Sequence, residues 1–233
     1  MSSPHDSVPA SSPYASLKAL LDGRYSCRSY TPEAVPRDIV EQVLVAAQRT
    51  ASWCNSQPWQ VHIVSGAALE RLRGEMYAQR DRPGVPDLDW PREYLGVYRQ
   101  RRRECGWSLY EAVGIARGDR AASARQAAEN FRMFGAPHLA VVTSEKALGT
   151  YGAIDCGAYV ANFLLAAQSL GLGCVPQAAL AGHADVLRAQ LPIGDDRSVV
   201  CGISFGWPDP TNPVNRWRTS RADAAQAVSW HDH

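Results

Sequence analysis

The sequence lacks the features that would assign it to a nucleic-acid-binding or membrane class. Only Lys18 and Lys146 are lysines among its 24 basic residues, and the formal net charge of the 233-residue chain is +1. A balanced charge gives no electrostatic basis for binding a polyanion. No hydrophobic run approaches the roughly 20 residues of a membrane-spanning helix. We therefore expect no nucleic acid partner, no membrane partner and a cytoplasmic location.

Several catalytic and metal-binding signatures are also missing. The six cysteines include no C-x-x-C pair, and no histidines accompany them at zinc-site spacing. Such isolated thiols are typical of a reducing compartment. The sequence contains no G-x-S-x-G nucleophile elbow, no H-E-x-x-H zinc motif and no Walker loop. These absences predict no metal site and no side-chain nucleophile.

The apolar spacing predicts an α+β fold in one main domain, residues 14–206. Helices are expected at 13–23, 36–49, 69–76, 93–118, 119–134, 151–170 and 184–191, and strands at 59–64, 138–143 and 199–205. Helices outnumber strands and do not alternate with them regularly, which disfavours a doubly wound sheet. On the helix at 151–170, Ile154, Ala158, Ala161 and Leu165 share one face.

Three regions differ from this domain in composition. Residues 1–13 are rich in Ser and Pro and predict a disordered tail. Residues 81–118 are predicted to form an insertion. Its aromatic side chains either cover a ligand or form part of a dimer core. Residues 207–233 carry three prolines, and their final part contains Trp217 and Trp230, which favours an extended C-terminal arm that docks on a partner subunit.

Two segments in the first quarter of the chain have the residue types of a binding site. Arg24-Tyr25-Ser26-Cys27-Arg28 follows a predicted helix end, and its two guanidiniums flank a hydroxyl, as in an anion site. Ser52 with Asn55-Ser56-Gln57-Pro58-Trp59 makes a polar loop between two apolar elements. Burying such a loop is costly unless its polar groups are bonded. Solvated arginines in a turn, and a capped loop, are the structural alternatives.

Two further segments lie near the C-terminus. Gly171-Leu172-Gly173-Cys174-Val175-Pro176-Gln177 is not a dinucleotide fingerprint, because Pro176 occupies the third glycine position and the segment ends a helix. Its extended backbone instead allows the amides of Ala178 and Ala179 to face a ligand. In Arg216-Trp217-Arg218, alternation places both guanidiniums on one side. A helix-to-strand turn and an exposed arm are the structural alternatives.

Taken in order, the four segments resemble the FMN-dependent nitroreductase family over residues 14–221. Residues 24–30 follow its R-x-S-x-R-x-[FY] pattern, and Phe205-Gly206-Trp207-Pro208 also matches. Residues 99–137, with Asn130-x-x-x-Phe134-Gly135-Ala136-Pro137, resemble the longer-insertion branch. The resemblance implies an intertwined homodimer with an α+β fold. A central mixed or antiparallel sheet would be surrounded by helices, and two FMN sites would lie at the subunit interface.

The resemblance also implies a set of cofactor-binding residues. These are Arg24, Tyr25, Ser26, Arg28, Ser52, Trp53, Asn55, Asn130, Pro176, Gln177, Ala178, Ala179, Arg216 and Arg218. The phosphate and ribityl end would meet Arg24, Ser26, Arg216 and Arg218, and Arg28 would approach the pyrimidine side of the flavin. The polar loop with Ser52 and Asn55 would come from the second subunit.

The resemblance places further residues of the set beside the flavin ring. Asn130, Pro176 and Gln177 would lie against it, with a backbone amide of Ala178 or Ala179 near flavin N5. Many relatives have Glu-Gly where Ala178 and Ala179 stand, so any role of that glutamate side chain is absent here, whereas a backbone amide is retained.

The implied activity is that of a ping-pong oxidoreductase. NADH or NADPH would reduce the flavin, and a nitroaromatic or quinone would then use the same pocket, which explains why no Rossmann motif is needed. Two alternatives stay open. One is an FMN-dependent dehydrogenase, dehalogenase or flavin-fragmenting enzyme with a specific metabolite substrate, and the other is a non-catalytic flavin-binding protein.

Overall fold

The computed structural model describes residues 12–232. Within this range the strands are β1 (Trp59–Ser65), β2 (His138–Glu145), β3 (Gly173–Gln177) and β4 (Arg197–Gly206). The helices are α1 (Pro13–Gly23), α2 (Arg37–Ala47), α3 (Gly66–Ala78), α4 (Gly96–Ala112), α5 (Arg120–Ala128), α6 (Gly149–Ser169), α7 (Ala178–Ala181) and α8 (Ala184–Gln190). The predicted α+β class is confirmed.

The first helix has its predicted bounds, 13–23, and its N-terminal end overlaps the last residues of the segment predicted to be a disordered tail. Ser12 caps α1, since its hydroxyl accepts a hydrogen bond from the Ala15 N–H at 3.1 Å. Pro13 occupies the first helical turn, where its missing N–H is harmless. The rest of the predicted tail lies outside the described residues.

The four strands form one antiparallel sheet in the order β1-β2-β4-β3. Strand β2 is buried on both faces, so successive side chains enter different cores. Ala140 and Val142 pack with α2 and α6 in one core, whereas Leu139 and Val141 pack with α3 and α8 in the other. Helices therefore cover both faces of the sheet.

The predicted helix over 119–134 was wrong at its C-terminal end. Asp119 caps α5 as expected, but a 3₁₀ segment follows from Glu129 to Gly135, with Met133 and Phe134 at positive φ. The side-chain amide of Gln177 donates to the Asn130 carbonyl at 2.9 Å. In a continuing helix that carbonyl would accept a hydrogen bond from the N–H four residues later. A contact distant in sequence therefore competes with continuation of the helix.

The segment 171–177 is more regular than a turn. Residues 173–177 form β3 and pair with β4. A proline is compatible with this strand because β3 is the last strand of the four-stranded sheet, and Pro176 need not donate a ladder bond on its open side.

On α6, the face that carries Ile154, Ala158 and Ala161 is not buried within the single chain. The side chains that enter the core are those of Cys156, Tyr159 and Phe163. Ile154 is 58% exposed, and Ala158 and Ala161 are also at the surface of the single chain. Helix α6 thus carries an apolar face that the rest of its own chain does not cover.

The insertion is attached to the body by its first half and to the C-terminal arm by α4. The Val85 N–H donates to the Gly182 carbonyl at 2.7 Å, and Asp87 pairs with Arg188 through two hydrogen bonds at 3.1 and 2.7 Å. On α4, the Ser108 hydroxyl accepts from the Trp217 indole at 3.1 Å. None of the helices in the described part of the chain has the length and apolar character needed to cross a bilayer.

The Asp87 contact should contribute strongly to stability. Its carboxylate also accepts from the Val199 N–H at 2.7 Å, and both members of the Asp87–Arg188 pair are largely buried. We expect Asp87→Ala to lower the free energy of unfolding by about 3 kcal/mol, because it leaves a buried guanidinium without its partner. Urea unfolding is the measurement. Asp81→Ala, which removes an exposed pair with Arg80, is the control, and an equal loss in both variants would contradict this assignment.

Candidate functional site

The segment 24–28, called the arginine segment below, lies along the open edge of the sheet. The Cys27 N–H donates to the Cys174 carbonyl at 2.9 Å, and Ser26 forms a parallel bridge with Cys174. A Cβ on Gly173 would lie 2.7 Å from the Cys27 sulfur, so only glycine allows this close approach. The arginine segment therefore extends the sheet beyond β3.

Asn215 joins the arginine segment to the C-terminal arm. Its side-chain oxygen accepts from the Arg28 N–H at 2.9 Å, and its amide donates to the carbonyls of Ser29 at 2.7 Å and Asp209 at 2.9 Å. The side chain is only 5% exposed, so all of these bonds are shielded from water. The two ends of the chain thus meet at one well-bonded junction.

A cavity of about 450 Å³, the cationic cavity, opens at this junction. Its lining includes Arg24, Tyr25, Ser26, Arg28, Trp217, Arg218, Thr219 and Arg221. Within residues 12–232 none of its four arginines forms an ion pair with a carboxylate, and the one acidic residue in the lining, Asp22, pairs with Lys18. No anion in the described part of the chain therefore neutralises the four guanidiniums that face this space.

The surroundings hold these cations in place but leave their charge intact. Burial lowers the pKa of Arg24 and Arg28, and the neighbouring Arg221 charge lowers that of Arg24 further. The guanidinium carbon of Arg218 lies 3.8 Å from the centre of the Tyr25 ring. Burial raises the pKa of Tyr25 to about 12, so its phenol stays neutral and supplies π-electron density rather than an anion.

The side chain of Arg28 is fixed between two aromatic rings. Its guanidinium carbon lies 5.4 Å from the Trp217 ring centre and 5.8 Å from that of Phe134. One guanidinium N–H also donates to the Ser26 carbonyl at 3.2 Å. This arrangement presents a partly desolvated cation at the end of the cationic cavity that faces β3.

A second group of predicted site residues lies at the end of β3. The Gln177 side chain is buried and is held by Asn130 and by the Ser204 hydroxyl, which donates to its side-chain oxygen. Pro176 and Ala178 are exposed beside it. Helix α7 begins at Ala178, and the first N–H groups of a helix have no intrahelical acceptor. Only Val175 separates Cys174 from Pro176 along β3, which places this group close to the arginine segment.

The polar loop, residues 52–57, is not part of either group within one chain. It precedes β1, at the opposite edge of the sheet from the arginine segment. The three inter-strand spacings from β1 to β3 amount to about 14 Å. Trp53 is 58% exposed, and Asn55 is also at the surface. One chain therefore does not bring Ser52, Trp53 and Asn55 to its own cationic cavity.

Arg216 also lies apart from the cationic cavity. It ends a 3₁₀ turn over Pro213–Arg216, its side chain is exposed, and it is not among the residues that line the cavity. The turn breaks the extended alternation from which Arg216 and Arg218 were expected on one side.

Comparison with known proteins shows the family of the chain. The model of the Nitroreductase family matches residues 21–207. The chain belongs to the nitroreductase family. Its relatives include the nitroreductase NfnB of Mycolicibacterium smegmatis, 36% identical over 212 residues that cover 90% of each chain. They also include a 4-nitrobenzoate reductase of Pseudomonas putida, 30% identical and covering 87% of this chain and 90% of the relative.

Solved structures of other family members superpose closely. The crystal structure of the FMN-dependent nitroreductase NfnB from Mycobacterium smegmatis in complex with NADPH has a TM-score of 0.88 and 32% identity, over 94% of this chain and 99% of that one. An FMN- and NADPH-dependent NfnB from a Sphingopyxis strain also reaches 0.88, at 31% identity, over 93% and 99%. The nitroreductase-like fold inferred from the four segments is confirmed.

Two residues of this candidate site, Arg221 and Asn215, were missed in the sequence. Arg221 lines the cationic cavity, and its position three residues after Arg218 was the available signal. Asn215 has no comparable signal, because an asparagine in a proline-rich arm is typical of any turn. Only its partners in the folded chain, Arg28 and Ser29, show what it does.

Proposed function

We propose that the protein is an FMN-dependent oxidoreductase that uses NADPH or NADH to reduce nitroaromatic compounds. The observation that carries the proposal is the cationic cavity, where four arginines line one space and none of them pairs with a carboxylate among the described residues. A phosphate monoester carries a charge of about −1.5 to −2 at pH 7 and offers three acceptor oxygens. Planar guanidiniums match those oxygens as donors. The donor set therefore fits the phosphate of FMN.

The residues divide according to the two ends of the cofactor. Arg24, Ser26, Arg218 and Arg221 would hold the phosphate and ribityl chain, while Arg28 would lie at the pyrimidine side as a cation. Bound FMN supplies the hydride and electron transfer between the nicotinamide and the substrate. Pro176 and the amides of Ala178 and Ala179 would border the ring, with Gln177 and Asn130 supporting them from behind.

We infer that the working unit is a homodimer. The polar loop lies too far from its own cationic cavity, and α6 exposes an apolar face that includes Ile154, Ala158 and Ala161. Small side chains let two helices approach closely, so a second copy is the natural cover for this face. In such a dimer, Ser52 and Asn55 of one subunit would complete the cofactor site of the other.

The named activities of the relatives support the substrate class. They include 4-nitrobenzoate reductases and a chloronitrobenzene nitroreductase. The exposed aromatic residues of the insertion, among them Trp90, Tyr94 and Trp107, are suited to stacking on a flat substrate. Quinones as substrates and a cytoplasmic location stay predictions of the sequence.

The activity is tested with purified protein. We expect a yellow protein that releases FMN on denaturation, whose flavin absorbance is bleached by NADPH or NADH and restored by 4-nitrobenzoate. Bleaching without such restoration would favour a specific metabolite substrate, and a bound flavin that NAD(P)H cannot reduce would favour a flavin carrier. A protein that cannot take up FMN contradicts the proposal.

The phosphate assignment is tested at Arg221. We expect Arg221→Ala to raise the Kd for FMN about 10- to 100-fold, since a hydrogen bond to a charged group is worth about 1.5–3 kcal/mol. Quenching of flavin fluorescence measures the Kd. Arg71→Ala, an exposed arginine on α3, is the control, and Arg216→Ala asks whether Arg216 contributes. Wild-type affinity in Arg221→Ala would remove Arg221 from the site.

The dimer is tested on the exposed face of α6. We expect Ala161→Arg to give a monomer in sedimentation experiments, because a long charged side chain cannot be accommodated where two helices pack closely. The same variant should lose FMN affinity, because the polar loop of the second subunit is no longer present. Ala121→Arg, on the exposed side of α5, should leave both properties unchanged. A stable dimer of Ala161→Arg would place the interface elsewhere.

A further inference from the structure

The polar loop is held in a strained backbone conformation. Cys54, Asn55 and Gln57 have φ angles of 51°, 56° and 48°. The left-handed region is readily visited by asparagine but is unfavourable for cysteine and glutamine. Residues in such conformations persist only where their surroundings hold them, and they cluster at functional sites. Three within four positions therefore require a specific restraint.

Asp155 of α6 supplies a restraint from another element. One of its carboxylate oxygens accepts from the Trp53 N–H at 3.1 Å and from the Ser56 hydroxyl at 3.5 Å. The two donors lie on either side of the strained residues Cys54 and Asn55. Asp155 forms no ion pair with any other residue between 12 and 232. Among the described residues, the carboxylate of Asp155 thus accepts hydrogen bonds from the loop and forms no ion pair.

Other contacts fix the ends of the loop. The Ser52 hydroxyl accepts from the Gln57 N–H at 2.9 Å, and Gln48 bridges the side chain of Gln57 and the indole of Trp59. The Ser52 bond closes the loop on itself, and the Gln48 bonds attach its end to the C-terminus of α2 and to β1. Asp155 instead ties it to α6, the helix that carries the exposed apolar face.

We propose that Asp155 is a positioning residue that holds the polar loop in its strained conformation, ready to present Ser52 and Asn55 to the cofactor of the partner subunit. This inference rests on the proposed function. Asp155 itself touches no cofactor in this scheme. It acts through the backbone of Trp53, and its effect is to remove the cost of ordering the loop when FMN binds.

Three substitutions separate the contributions of Asp155. Asp155→Asn keeps an acceptor oxygen in place and should bind FMN within about 3-fold of the wild type. Asp155→Ala removes the acceptor and should raise the Kd for FMN about 10-fold, the factor that one charge-assisted hydrogen bond is worth. Asp155→Glu keeps the charge but displaces it by one methylene, and should resemble Asp155→Ala. Asp38→Ala, an exposed aspartate on α2, is the control.

Two measurements besides activity distinguish positioning from general stabilisation. We expect the Tm increase produced by FMN to be smaller in Asp155→Ala than in the wild type, with an unchanged dimer in sedimentation. An equal Tm loss with and without FMN, together with a wild-type Kd, would overturn the inference. If Asp155→Ala does not fold, a wild-type Kd in Asp155→Glu overturns it instead.

Hydrogen exchange of the protein without FMN tests the loop directly. We expect faster exchange of the amides in residues 52–57 in Asp155→Ala than in Asp155→Asn, and no change in β1. Unchanged exchange would overturn the inference even if FMN binds normally. If instead the wild type fails to bind FMN while exchange in Asp155→Ala is accelerated, the proposed function fails and the restraint of the loop by Asp155 stands.

Discussion

The structure of the site depends on four like charges that are held together with no counterion from residues 12–232. Arg24 and Arg28 come from the first residues after α1, whereas Arg218 and Arg221 come from the C-terminal arm. Guanidiniums so close to one another repel, and burial adds to the cost of charging Arg24 and Arg28. The fold offsets this cost with bonds that do not involve the charges, through the sheet edge at Cys174 and through the buried amide of Asn215.

This construction explains why the cavity suits a phosphate ester. A site with its own carboxylates would have paired its arginines internally, and a dianion would then have to displace those pairs. In the proposed site the phosphate of FMN would be the missing counterion, and its binding would relieve the repulsion among the four arginines. The neutral phenol of Tyr25 beside Arg218 serves the same end, since it stabilises a cation without competing with an anion.

A separate constraint, the strained conformation of the polar loop, applies at the opposite edge of the sheet. The polar loop before β1 is strained and exposed, and three strand spacings separate it from the arginine segment. Asp155 and Tyr151, one turn apart on α6, hold this loop at the margin of the apolar helix face, with the Tyr151 ring 4.3 Å from that of Trp53. The loop and the face that a second copy would cover are thereby coupled through one helix.

The sequence by itself determined the fold class, and it predicted several residues that the fold brings to one cavity, among them Arg24, Arg28 and Arg218. Periodicity gave α2, β1, α6 and β4 to within a few residues, and the arginine and glycine segments in order indicated the family. Only the tertiary structure decided which residues meet. The Gln177 amide bonds to the Asn130 carbonyl where the predicted helix fails, and a turn removes Arg216 from the cationic cavity. Asn215 and Asp155 bond to partners distant in sequence, and Arg221 lines a cavity built from both ends of the chain. Spacing along a chain records local geometry, whereas competition for a hydrogen bond, or for space around a cavity, is settled by atoms far apart in sequence.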